Sequence, residues 1–166
     1  MKSALSDLYQ EELLAYASAV EQFSRLQKPT GTGTAVSRSC GSRVTVDLML
    51  LEDVISDIGL DVDACALGSA SSAIVAEKAV GKTLDEISSL GQSIWCMLRD
   101  GGAIPTGDWE TFKFLAPAKV LENRHQSICL IFDAIKKAGS TGSSVSYTHL
   151  RAHETREDRG CAGGGE

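Results

Sequence analysis

Two neighbouring stretches of the chain alternate apolar and polar residues with a period of two. Residues 43–51 place their valines and leucines on one side, and residues 54–63 do the same after the two-residue turn Glu52-Asp53. This period is typical of strands with one buried face, and two such runs around a short turn predict an antiparallel hairpin. A short edge strand is predicted over residues 34–39, which gives a sheet of three strands.

In most of the remaining chain, up to about residue 138, apolar residues recur with the period of an α-helix. Helices are predicted over residues 6–26, 66–80, 84–99, 108–115 and 123–138. Thr83 and Glu86 have the spacing of a capping box, Gly81 closes the small-residue helix, Pro117 stops the short one, and Asn123 can cap the last. The sequence therefore predicts an α+β fold, with a small three-stranded antiparallel sheet packed against four to five helices.

The predicted hairpin has a consequence for two cysteines. Cys40 precedes the outgoing strand and Cys65 follows the returning one, so the pairing brings both to the same end of the sheet. Cys65 also begins a helix, where free amides and the helix dipole lower a thiol pKa and favour a soft-metal ligand or a sulfur nucleophile. The alternative is that both are ordinary buried cysteines.

Composition narrows the class of protein. The 166 residues fit one domain, and the net charge of −6, without a basic stripe interleaved with aromatics, predicts neither nucleic-acid nor membrane binding. No apolar run is long enough for a membrane span and no signal pattern is present, so a cytoplasmic location is expected.

Five widely spaced cysteines favour free thiols or metal ligands over a disulfide framework. No triad, phosphate loop or dinucleotide motif is legible, and the protein is expected not to be an enzyme.

The last part of the chain changes character. Residues 140–144 have the composition of a linker, and the polar sequence that follows has no period. We expect residues 1–139 to form the domain and residues 140–166 to be a disordered tail. Residues 146–155 resemble translated adapter or out-of-frame sequence, which predicts that this tail is not native.

Three segments together resemble the NifU/IscU-type iron-sulfur cluster assembly scaffold family. They are SCGSRVTV at 39–46, ACALGSASS at 64–72, and RHQS at 124–127 leading into DAI at 133–135. The resemblance implies a scaffold that receives sulfide from a cysteine desulfurase, assembles a [2Fe-2S] cluster with iron, and releases it to apo-proteins. In the family, three cysteines and an aspartate at these segments hold the cluster or a zinc ion.

The chain departs from the family pattern in ways typical of a divergent branch with Cys-Gly-Ser and Arg-His-x-Ser. Ser42 stands in place of the aspartate, and Ser127 stands in place of the third cysteine. The implied site is therefore Cys40, Cys65, Ser42 and Ser127, with His125 as a further candidate ligand. A cluster or tetrahedral zinc prefers four ligands, so His125, a partner protein or a second protomer in a homodimer has to complete the set.

Other interpretations remain open at this point. The chain could be a sulfur-accepting partner of a cysteine desulfurase, with a persulfide on Cys65 or Cys40, or a zinc-binding interaction module. His125 could be an exposed residue in the first turn of its helix, and Cys129, four residues on, is better explained as core. Arg124 could neutralise an anionic cluster or persulfide, or be a plain surface charge.

Overall fold

The structure, a computed structural model, describes residues 4–38 and 41–142, with side chains described for 11–38 and 41–140. The α-helices are α1 (Ala4–Ala19), α2 (Ala66–Ala79), α3 (Leu84–Asp100) and α4 (Glu122–Gly142). The strands are β1 (Gly31–Val36), β2 (Arg43–Leu51) and β3 (Val54–Asp63), and 3-10 helices span Val20–Gln22 and Gly107–Val120.

The three strands form one antiparallel sheet in the order β1-β2-β3. Arg43 pairs with Asp63 at one end of the hairpin, and Leu51 pairs with Val54 at the other. Glu52 adopts a left-handed φ of 63° in the turn, and a bulge after Met49 shifts the register by one residue. The hairpin is therefore confirmed with the predicted bounds and the predicted turn.

The core lies between the inner face of this sheet and the helices. Val44, Val46 and Leu48 of β2 are fully buried, and α2 and α4 pack on this side of the sheet, with α3 against α4 and α1 against α2. Each of α3 and α4 buries a stripe of apolar residues, and the predicted capping box of Thr83 and Glu86 is formed. The α+β fold is confirmed.

The outer face of the sheet is covered as well, by residues 23–30, which we call the strap. Leu60, on the free edge of β3, donates its amide to the Phe23 carbonyl at 3.1 Å. The Asp47 carboxylate accepts from the Arg25 side chain at 2.6 Å and from the Leu26 amide at 3.0 Å. Asp47 is consequently fully buried on a face that alternation predicts to be exposed.

The strap also explains why the first helix is shorter than predicted. Helical periodicity extends to residue 26, but α1 ends at Ala19 and a single 3-10 turn follows. The backbone groups of Phe23 and Leu26 bond to the sheet instead of to a helix. Tertiary hydrogen bonds have replaced the local ones.

The edge strand begins three residues before its predicted start, although a run such as Gly31-Thr32-Gly33-Thr34 is typical of a break between elements. β1 begins at Gly31, and Gly33 lies on the inner face under α4. A Cβ on Gly33 would lie 2.4 Å from the Ala134 carbonyl oxygen. The glycine is therefore required for the close approach of α4 to the strand rather than for a turn.

Two further predicted boundaries differ. α4 begins at Glu122, so Asn123 lies inside the helix and does not cap it, and α4 continues to Gly142. The short helix before Pro117 is a 3-10 helix that runs past this proline to Val120, since the fixed φ of proline is compatible with helical backbone. The helix thus includes residues 140–142, which the sequence assigns to the predicted tail of residues 140–166, and the tail from residue 143 onward lies outside the described residues.

Among the described residues, no helix combines the length and the apolar character that a membrane crossing requires.

Candidate sulfur and metal site

Three side chains meet where the hairpin ends and α2 begins. The Cys65 sulfur lies 3.5 Å from the Ser127 Oγ, and the Ser127 hydroxyl donates to the Ser42 Oγ at 3.1 Å. Ser42 precedes β2, Cys65 follows β3 as the N-cap of α2, and Ser127 lies in the second turn of α4. The structure therefore brings together three of the five predicted site residues.

The Cys65 thiol is half-buried and its pKa is lowered. Burial alone raises this pKa, but the amides of Gly68 and Leu67, the Ser127 hydroxyl and the positive charge of Arg124 together outweigh burial. The helix begins with unpaired amides that favour a negative charge at this position. The lowered pKa favours the thiolate, which is the form that binds soft metals and attacks sulfur.

The contact between α2 and α4 fixes the position of Ser127. The Ser71 hydroxyl donates to the Ile128 carbonyl at 2.7 Å, which ties the two helices together beside the site. A Cβ on Gly68 would lie 2.6 Å from the Ser127 Oγ. Only glycine at position 68 leaves room for Ser127 to reach Cys65.

The β1–β2 loop is closed by backbone hydrogen bonds on both sides of residues 39 and 40. The Ser37 amide donates to the Ser42 carbonyl, and the Gly41 amide donates to the Ser37 carbonyl, each at 2.8 Å. Gly41 has a left-handed φ of 73°, and the Ser37 hydroxyl donates to Gln126 of α4 at 3.0 Å. Cys40 itself lies outside the described residues, so its place beside Cys65 stays a prediction.

His125 is fully buried rather than exposed, and its ring lies against the end of the second 3-10 helix. Its Nε2 is 3.0 Å from the Ala118 carbonyl oxygen and 3.1 Å from that of Lys119, which assigns the proton to Nε2. Nδ1 has no hydrogen-bond partner. Residues two apart in a helix point about 200° apart, so His125 faces away from Ser127, and its role as a ligand stays a prediction.

Cys129 packs against the hydrophobic core, in agreement with the interpretation of this residue as core. Within residues 4–38 and 41–142, no three His, Cys, Asp or Glu side chains converge as a metal site would require. The described donors at the candidate site are one thiol and two hydroxyl groups. These groups provide one thiolate ligand. Iron or zinc would require further thiolates at the site.

Two features of the site could not be read from the sequence. The sequence does not distinguish Gly68 from the other small residues of α2, so it does not indicate that this position faces Ser127. The carbonyls of Ala118 and Lys119 that bind His125 have no sequence signal, because any residue supplies a backbone carbonyl.

Known proteins share this fold. The family model for the NifU-like N terminal domain matches residues 9–104. The N-terminal part of a nitrogen-fixing NifU-like protein from Brucella abortus has a crystal structure similar to this one, with a TM-score of 0.79. It is 33% identical, and the match covers 86% of this chain and 99% of that chain.

Two more distant relatives agree. The crystal structure of the SUF-system protein FiSufU from Fervidobacterium islandicum AW-1 shares the fold, with a TM-score of 0.67 at 20% identity, over 81% of this chain and 98% of that one. The iron-sulfur cluster assembly scaffold protein IscU of Thermotoga maritima is 24% identical over 131 residues, which is 79% of this chain and 92% of the relative. With a family model that matches more than half of its length, this chain belongs to the family of NifU-like N-terminal domains.

Proposed function

We propose that this protein is an iron-sulfur cluster assembly scaffold that holds iron and sulfide at Cys65 and Cys40 and passes them to apo-proteins. The observation that carries the proposal is the half-buried Cys65 thiol, with its lowered pKa, at the head of α2. The family supports it, since the IscU relative of Thermotoga maritima is named as such a scaffold. In this role the protein is a carrier and not a catalyst.

The neighbours of Cys65 favour weak rather than permanent retention of this cargo. Serine hydroxyls are poor ligands for the soft metals that thiolates select. The Ser127 Oγ lies 3.5 Å from the sulfur, and the Ser42 Oγ lies 3.1 Å from that of Ser127. A cluster prefers four strong ligands. The missing ones would come from Cys40 and from a second protomer or a partner protein, because His125, the other predicted ligand, faces away from Ser127.

The partners follow from the same proposal. A cysteine desulfurase would supply sulfur, and apo iron-sulfur proteins would receive the product. The cargo is a [2Fe-2S] cluster, and zinc is the ion that would compete for the same thiolates. A cytoplasmic location remains a prediction.

Anaerobic reconstitution of the full chain with iron and sulfide tests the proposal. The native protein should develop a visible charge-transfer absorption with bound iron and sulfide, and Cys65→Ser and Cys40→Ser should each lose it. Cys129→Ser is the matched control, because this core cysteine should leave loading unchanged. A native protein that binds no iron and sulfide would contradict the proposal, as would a Cys65→Ser variant that loads fully.

A second candidate function is sulfur transfer without a cluster, and one observation favours it. Cys65 is a single activated thiol, and the described groups that hydrogen-bond to its sulfur are the Ser127 hydroxyl and the amides of Gly68 and Leu67, none of which is a metal ligand. The Cys65 thiolate would attack the terminal sulfur of a desulfurase persulfide. A new sulfur–sulfur bond forms on Cys65, the bond in the donor breaks, and the donor cysteine leaves as a thiolate. A persulfide found on Cys65 by peptide mass spectrometry, in a protein that forms no chromophore, would favour this function, and tightly held zinc would favour an interaction module.

A further inference from the structure

We propose that Arg124 is a specificity-determining residue of the Cys65 site, where its positive charge selects anionic sulfur species over free divalent metal ions. The anionic species are sulfide and the persulfide anion of a sulfur donor. The inference rests on the proposed function, because it concerns the cargo bound at the same cysteine.

Arg124 lies one helical turn before Ser127 on α4. Side chains three residues apart in a helix are neighbours, with about 5–6 Å between their Cβ atoms. The Ser127 Oγ in turn lies 3.5 Å from the Cys65 sulfur. Burial raises the pKa of the Cys65 thiol, whereas its hydrogen bonds and the charge of Arg124 lower it. Arg124 is therefore close enough to act on a charge held at this sulfur.

The Arg124 guanidinium has no partner of its own in the part of the chain that the structure describes. The residue is half-buried, yet its side chain forms neither a hydrogen bond nor a salt bridge with a described residue. Glu122 lies in the same helical turn, but it is not paired with Arg124. A guanidinium without a counter-ion is available to an anionic ligand.

The position of Arg124 within α4 is electrostatically unfavourable for a cation. α4 begins at Glu122, so Arg124 lies in the first turn, where the partial positive charge of the helix favours acidic side chains. α2 begins directly after Cys65 and presents a second positive helix end to the sulfur. An anion bound at Cys65 would offset the charge of Arg124 as well as that of the helix end.

Other charged residues at this end of the sheet do not cancel the charge of Arg124. Arg43, which follows Ser42, lies 4.0 Å from Asp63, so this exposed pair adds little net charge. Arg38, in the β1–β2 loop, is a further exposed cation. The whole chain carries a net charge of −6, so the positive charge at this site is a local feature.

A fixed positive charge has opposite effects on the two components of the cargo. It attracts sulfide and a persulfide anion, and it repels Fe²⁺ or Zn²⁺, whose double charge makes the repulsion stronger. The Cys65 site should therefore take up sulfur before the metal, or take up metal that already carries sulfide.

Three methanethiosulfonate reagents that differ in charge test this selectivity on the full chain. The anionic sulfonatoethyl, neutral hydroxyethyl and cationic trimethylammonioethyl reagents each transfer a thioalkyl group to a thiolate, and methanesulfinate leaves. Because all three react with the thiolate, the ratio of two rates does not depend on the fraction of Cys65 that is ionised. The rates at Cys65 are measured by peptide mass spectrometry at low ionic strength, with the neutral reagent as the reference.

Arg124→Gln should lower the ratio of the anionic to the cationic rate about 10-fold, from about 3-fold in each direction. Arg124→Lys, which keeps the charge, should stay within about 2-fold of the native ratio. Lys136→Gln is the matched control, because it removes an exposed positive charge from the same helix about 18 Å away, and it should leave the ratio unchanged. Circular dichroism checks the folding of each variant.

The salt dependence of the native protein provides a second test that needs no variant. Salt screens charges near the surface, so the native ratio should fall about 2-fold or more between about 0.02 and 1 M NaCl. This measurement decides the matter if Arg124→Gln does not fold.

Four results would overturn the inference. They are an unchanged ratio in folded Arg124→Gln, an equal change in Lys136→Gln, an Arg124→Lys variant that behaves like Arg124→Gln, and a native ratio that does not respond to salt. Iron and sulfide loading of the same samples separates this failure from that of the proposed function. Charge selectivity at Cys65 in a protein that binds no iron and sulfide would contradict only the scaffold, and loading without charge selectivity would contradict only the role of Arg124.

Discussion

Asp47→Ala should lower the free energy of unfolding by about 3 kcal/mol. The Asp47 side chain is completely buried on the outer face of the sheet and accepts four hydrogen bonds. Two come from the Arg25 side chain at 2.6 and 3.1 Å, one from the Leu26 amide at 3.0 Å and one from the Thr32 hydroxyl at 2.7 Å. This one carboxylate accepts three hydrogen bonds from the strap and so helps to hold it to the sheet.

The magnitude follows from what each donor loses. The Leu26 amide and the Thr32 hydroxyl would be left without their acceptor in a partly buried setting, at about 1–3 kcal/mol each. The Arg25 side chain is 49% exposed, so water can replace its bonds and little penalty remains there. The total of about 3 kcal/mol lies at the low end of the range for a broken buried pair. Arg25→Ala should therefore be milder, at about 1 kcal/mol, since Asp47 keeps its other two donors.

Urea unfolding followed by circular dichroism measures this effect, with the melting temperature as a second readout. For a chain of this size, about 3 kcal/mol corresponds to a fall of about 6–12 °C. Asp61→Ala is the matched control, because Asp61 lies on the same face but is exposed, and it should change stability by less than about 0.5 kcal/mol. A loss at Asp47→Ala no larger than that at Asp61→Ala would refute the role given to the carboxylate.

Three further predictions concern stability at low pH, the packing of α4 on β1 and the N-cap of α3. Burial raises the Asp47 pKa, but the hydrogen bonds from Arg25 and its neighbours lower it further, so the folded value lies below 3.8. The stabilisation is thus complete above pH 3.8 and is lost as the pH falls through the folded pKa. In acid titrations below about pH 4, the unfolding free energy of the native protein should fall more steeply with pH than that of Asp47→Asn. Equal pH dependence in the two proteins would show that the ionised Asp47 carboxylate is not the cause. Gly33→Ala should destabilise by about 3 kcal/mol in urea, because the new Cβ meets the backbone of α4, and a neutral effect would mean that α4 can move away. Thr83→Ala should lower the melting temperature through the loss of about 1 kcal/mol of capping, and Thr83→Ser should restore it.

The hairpin and α3 were predicted correctly because their signals are local. Alternation with a period of two fixes which residues of β2 face the core, and the Thr83–Glu86 spacing fixes where α3 begins. The start of β1 was missed because the glycine at position 33 serves a distant helix, and a local reading assigns glycines to turns. The buried outer face was missed for the same reason, since Asp47 is covered by a segment 21 residues away.

The candidate site was predictable to the extent that it depends on the hairpin. Pairing of β2 with β3 places Ser42 and Cys65 at one end of the sheet, and this meeting follows from the sequence pattern. The contact with Ser127 depends on how α4 packs on α2, which no spacing in the sequence determines. The burial of His125 likewise depends on tertiary packing, and a first-turn residue of a helix would ordinarily be exposed.

The measurement that tests the central claim most directly is transfer of the cargo. The chain, loaded anaerobically with iron and sulfide, is mixed with an apo-protein of the [2Fe-2S] ferredoxin class, and the visible circular dichroism of the acceptor is followed. The account predicts that the acceptor signal grows as the scaffold loses iron, faster than with free iron and sulfide at the same concentration, and that Cys65→Ser gives no advantage over the free ions. A loaded chain that keeps its cluster in the presence of the acceptor, or a Cys65→Ser variant that transfers as well as the native protein, would contradict it.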